Sequence, residues 1–94
     1  MAFMIVRQTI EDYDRFKPVF DEGEASRQAG GSKGGYVLRN DEDPSRITVV
    51  LEWDNLDNAR AFAASTELRE SMQRAGVTGA PNIDFLNEVD RPSV

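Results

Sequence analysis

An α+β fold ordered strand, helix, strand, strand, helix, strand is predicted by three features of the sequence. Ile47, Val49, Leu51 and Trp53 alternate with Thr48, Val50 and Glu52, the period-two pattern of a strand with one wholly apolar face. That strand runs straight into Asp54-Asn55-Leu56-Asp57 and an amphipathic stretch ending at Gly76, so it delivers a tryptophan to the mouth of a helix. Near the N-terminus, Phe3-Met4-Ile5-Val6 followed by Glu11-Asp12-Tyr13 repeats the plan. Two such units in this order predict the ferredoxin-like βαββαβ arrangement, a four-stranded antiparallel sheet with two helices on one face.

Each element has its own signals. The first strand spans Phe3 to about Thr9, with Phe3 and Ile5 on one side and Met4 and Val6 on the other, so both faces of the sheet need cover. Asp12 is the N-cap of a helix running to Ala29, with Tyr13, Phe16, Val19, Phe20 and Gly23 on one stripe and Gly30 at C′. Pro18 removes a backbone donor inside that helix and predicts a kink or a later start. Gly30 to Gly35 reads as a flexible link into a short strand, Tyr36 to Asn40, and Asp41 to Ser45 turns the chain into the strand that ends at Trp53. The second helix starts near Asp54 or Asn55 and carries Leu56, Ala59, Phe62, Ala63, Leu68 and Met72. Ser65-Thr66 is a place for it to break, because Ser65 suits a fresh N-cap. Pro81 precedes a last strand, Ile83 to Val89.

The helices cover one face only. Met4, Val6, Val50 and Leu86 are expected as an apolar patch on the other, and such patches mark interfaces, which predicts a face-to-face homodimer.

Composition narrows the function. The 94 residues fit one domain spanning 1–94, which buries roughly two thirds of its unfolded surface and gains from association. A net charge of -6, from 17 acidic and 11 basic residues, opposes binding to phosphate backbones, so nucleic acid is not expected as a partner. The absence of cysteine and histidine removes disulfides, thiolate nucleophiles, zinc sites and imidazole catalysis. No apolar run approaches the roughly 20 residues of a membrane span, and no signal-like N-terminus is present, so the chain reads as soluble and cytoplasmic, with no membrane partner.

The strand ending in Glu52-Trp53, the acidic helix start Asp54 to Asp57, and Ser65 about twelve residues beyond the tryptophan resemble the antibiotic biosynthesis monooxygenase-like members of the dimeric α/β-barrel superfamily. The likeness spans nearly the whole chain. It implies two ferredoxin-like subunits whose sheets combine into a barrel, with a small-molecule pocket between sheet and helices in each. It further implies cofactor-independent oxygenation of an aromatic or polyketide-like molecule, in which the substrate anion supplies the electrons and Trp53 orients the ring. The chain departs from the family pattern at two places. The histidine that members carry on helix two, nine residues past the tryptophan, is Phe62 here, and the asparagine that haem-degrading members carry late in strand one is replaced by Arg7 and Gln8. Haem is therefore not expected, and no cofactor is assigned. A catalytically silent ligand-binding or assembly module of the same fold is the alternative.

The candidate ligand-binding residues are Trp53, Phe62, Tyr13, Phe16 and Glu52, and no catalytic residue is assigned. Trp53 at a strand end can stack on a planar ligand, although a tryptophan on the face of Ile47, Val49 and Leu51 is first a core anchor. Glu52 sits among apolar neighbours where a carboxylate can act as a general base, or else pairs with Arg7, Arg39 or Arg46 across the sheet or dimer interface. Tyr13 and Phe16 face the sheet and can close over a ligand, the ordinary role of such a stripe being core packing. Tyr36 and Arg39 point to opposite faces, so they do not share a site.

Two further features have plain explanations. The glycine run around Lys33 lacks phosphate-loop spacing and leads into a strand. Asp41, Glu42 and Asp43 lack calcium-loop spacing, so no metal is expected. The strand at Ile47 to Trp53 has no basic-Gly-aromatic signature of an RNA-recognition motif, and a copper-carrying domain of this topology would need a Cys-x-x-Cys.

Overall fold

The computed structural model describes residues 1–94, and its sheet has the order β2-β3-β1-β4 with every neighbouring pair antiparallel. The strands are β1 (Ala2–Ile10), β2 (Ser32–Arg39), β3 (Arg46–Trp53) and β4 (Val77–Asn87). The helices are α1 (Tyr13–Glu22), α2 (Glu24–Gly30), α3 (Leu56–Ala63) and α4 (Thr66–Arg74). This is the ferredoxin-like arrangement, with each of the two expected helices divided in two.

The divisions follow local chemistry. Ser65 accepts a hydrogen bond from the Leu68 amide at 3.2 Å and so caps a new helix, as its sequence position implies. The break in the first helix falls at Gly23, five residues after Pro18; Pro18 itself is held inside α1, and the helix starts at its Asp12 cap rather than later. Gly31, not Gly30, ends α2, with φ at 113°, a left-handed conformation that glycine adopts without cost.

Strand β2 is longer than expected, because the Gly30 to Gly35 segment is mostly strand. Ser32 pairs with Trp53 and Gly34 with Glu52, so Lys33 is the extra residue of a bulge. Gly35 then lies so close to β3 that a Cβ there would meet the Val50 carbonyl oxygen at 1.8 Å. Strand β4 also begins earlier, at Val77. It tolerates Pro81 because β4 is an edge strand and Pro81 lies in an irregularity where Gly79 to Pro81 stand opposite Gln8.

The core lies between sheet and helices. Met4, Val6, Ile47, Val49, Leu51 and Trp53 are all buried there with Phe16 and Ala59. Register explains the grouping, since Met4 pairs with Leu51 and Val6 with Val49, so these side chains share a face. The assignment of Met4 and Val6 to the helix-free face is thereby corrected. The alternation along β1 is as expected, but the even-numbered residues turn toward the helices. The open face instead carries Phe3 and Ile5 of β1, Val50 of β3, Tyr36 and Leu38 of β2, and Leu86 of β4, in cross-strand register. Tyr36, Leu38 and Leu86 are 69, 50 and 43% exposed in the single chain. No helix is long and apolar enough to cross a membrane.

Candidate functional site

Helices α1, α2, α3 and α4 do not close completely on the sheet, and a cavity of about 60 Å³ remains between them. Its floor is Met4 and Val6 of β1 with Val49 and Leu51 of β3. Phe16 and Phe20 of α1 and Phe62 of α3 form walls, and Leu68 and Met72 of α4 add to the apolar lining. The amphipathic stripes that build the core are thus the same stripes that shape the cavity. A dry cavity of about 150 Å³ accommodates benzene, so a ring enters here only when the helical layer parts.

Few polar groups reach this space. At its rim the Ser26 hydroxyl of α2 donates to Glu67 Oε1 of α4 at 2.6 Å, the one side-chain bond joining those helices. Arg27 lies beside it, its Nη1 donating to the Phe20 carbonyl at 2.7 Å and its guanidinium 3.9 Å from the Phe20 ring centroid. Burial pushes the Arg27 pKa below its ordinary value, with Glu24 and Asp21 opposing the shift electrostatically. Phe20, Arg27 and Leu51 also border a second, wider and more polar cleft along Ser32 to Tyr36. Deeper in the first cavity, Gln8 projects from β1 and its buried Oε1 accepts no hydrogen bond from the protein.

The five candidate residues are distributed as follows. Phe16 and Phe62 line the cavity. Trp53 does not; it is completely buried one layer behind, its ring 5.2 Å from that of Phe62 and against the backbone of Gly30. Its indole Nε1 is buried without a partner. Tyr13 stands at the start of α1, 6.2 Å from Phe16 and under the Arg39 guanidinium, outside the lining. Glu52 is on the opposite face of the sheet, because it pairs in register with Phe3 and Gly34.

Within one chain Glu52 forms none of the expected ion pairs. Arg7 is taken by Asp84 at 2.8 Å, and Arg39 faces the helix side over Tyr13. No three carboxylates gather into a group that would hold a metal ion. The Asp43 carboxylate is occupied by Ser45, whose hydroxyl donates at 2.6 Å.

Gln8 and Arg27 were missed as lining residues in the sequence. The signal for Gln8 was present: Ala2, Met4, Val6, Gln8 and Ile10 share one face of β1, so an amide interrupts an otherwise apolar inward row. Arg27 also follows the helical spacing of Phe20 and Gly23, and the missing side chain at Gly23 leaves room for its guanidinium, since a Cβ there would meet Nη1 at 2.9 Å.

Chemically the cavity offers apolar surface, the Gln8 amide, the Ser26 and Ser71 hydroxyls, the Arg27 cation and the Glu67 carboxylate at its rim. It is equipped to hold and orient a small apolar molecule.

No protein-family model matches the chain, and no curated protein matches it in sequence. Solved structures do match. SnoaB, a cofactor-independent oxygenase from Streptomyces nogalater, superposes with a TM-score of 0.79 at 16% identity, covering 99% of this chain and 97% of its own. A protein assigned as an antibiotic biosynthesis monooxygenase from Bordetella bronchiseptica gives 0.79 at 19% identity, covering 94% and 96%. Another with the same assignment, from Caulobacter crescentus, gives 0.74 at 16% identity, covering 95% and 90%. The chain therefore has the fold of the antibiotic biosynthesis monooxygenase-like structures over nearly its full length.

Proposed function

We propose that the chain works as a homodimeric barrel protein with one small-molecule pocket per subunit, transforming an aromatic or polyketide-like ligand without a cofactor. The observation that carries this reading is the cavity walled by Phe16, Phe20 and Phe62 in a fold shared with a cofactor-independent oxygenase. In this reading Phe62 touches the ligand and Trp53 is a positioning residue that fixes Phe62 from behind. The dimer follows from the open face, where Tyr36, Leu38 and Leu86 leave apolar surface that a second copy would cover.

A second reading is supported by the lining itself. The cavity contains no histidine, and position 62 holds phenylalanine, so a catalytically silent ligand-binding or assembly module uses the same pocket with no chemistry. Trp53 fluorescence titrated with a naphthoquinol, flavin and haem, followed by oxygen-uptake assays, separates the readings. Saturable response to the naphthoquinol with oxygen uptake supports the oxygenase. Saturable binding without uptake supports the silent module, and no response to any compound contradicts the pocket.

A further inference from the structure

The Oε1 atom of Gln8 is the one side-chain polar atom of the cavity lining that is buried and left unpaired. Its position on β1 is unusual in a second respect: the pairing with β4 breaks there, with Gly79 to Pro81 opposite a single residue. Irregularities of this kind re-aim side chains next to binding sites. The neighbours Val6 and Ile10 on the same row are buried apolar residues, so a leucine at position 8 would satisfy the core. An amide carbonyl with no donor costs stability there.

We infer that Gln8 is the hydrogen-bond anchor of the pocket and selects a neutral ring compound bearing a hydroxyl, whose O–H donates to Oε1 while the ring rests on Phe16 and Phe62. This rests on the proposed small-molecule pocket and narrows its ligand class. A donor is required because Oε1 is an acceptor with nothing to accept. An ammonium donor is disfavoured, since the cavity floor around Gln8 is apolar and a buried cation there is costly, the one lining carboxylate, Glu67, being held at the rim by Ser26. A hydroxyl supplies the donor at the smallest desolvation cost, and an ether or hydrocarbon of the same shape leaves the carbonyl unpaired.

Titration of the full chain with phenol, anisole and toluene, followed by NMR, tests this against Gln8→Leu, with Gln8→Met as a second replacement should leucine impair folding. The wild type is expected to bind phenol about tenfold more tightly than anisole, and the variants to bind the two within about twofold. Toluene affinity should be unchanged or increased in the variants. Equal binding of phenol and anisole by the wild type overturns the role of Gln8 and leaves the pocket standing, as does a phenol preference that survives both replacements. Binding of none of the three removes the pocket and the anchor together, with Oε1 then served by water alone.

Discussion

The ring of Phe62 stands 5.2 Å from the indole of Trp53, tilted by 42°, and separates a completely buried tryptophan from the cavity. Phe62→Ala should therefore enlarge the cavity toward the indole. The expected result is Trp53 emission that acrylamide barely quenches in the wild type and quenches clearly in the variant. The loss of a half-buried aromatic should cost about 2–3 kcal/mol in denaturant unfolding.

Trp53→Phe removes the deepest anchor of the core without touching the lining. A loss of about 1–3 kcal/mol is expected by thermal or urea unfolding. Because the indole fixes Phe62 from behind, affinity for small ring compounds should weaken by about a few fold, whereas the preference for phenol over anisole, set by Gln8, should stay as it was. A change in selectivity without loss of stability would place the indole in contact with ligand instead.

Gly35 is required by the approach of β2 to β3. A methyl group there would meet the Val50 carbonyl oxygen at 1.8 Å, and both strands would have to separate. Gly35→Ala should destabilise by about 1–3 kcal/mol. Amide exchange should quicken first in the β2–β3 ladder.

The turn between β2 and β3 predicts a pH dependence. Hydrogen bonds from the Ser45 hydroxyl and then its amide hold the Asp43 carboxyl below its ordinary pKa, against slight desolvation and with help from Arg46. A folded value below the unfolded one means a stabilising contribution that is present above the unfolded pKa and lost as pH falls through the folded value. NMR titration should find the Asp43 carboxyl below the usual carboxylate range. Ser45→Ala should return it most of the way and flatten the acid side of the stability profile.

The element order was legible because period-two and helical patterns, with Asp12, Asn55 and Ser65 as caps, are local signals, and each cap accepts its expected backbone amide. The early start of β2 was hidden because Ser32 to Gly35 lacks side chains that announce a strand. Its structure comes from pairing with β3. The choice of inward face in β1 depends on long-range register, and neither Met4 nor Phe3 states it alone. Candidate site residues divided along the same line. Phe16 and Phe62 follow from helical stripes, while the place of Arg27 also needs a position without a side chain at Gly23, where a Cβ would meet its guanidinium.

The apolar row across the open face, where Ile5 pairs with Val50 and Val50 with Tyr36, is the part of the molecule that a single chain leaves uncovered. Light scattering at micromolar concentration measures its consequence directly. The barrel account predicts a particle of twice the 10.5 kDa chain mass, converted toward monomer by Leu38→Glu. A wild-type particle of 10.5 kDa, unchanged on concentration, would contradict it.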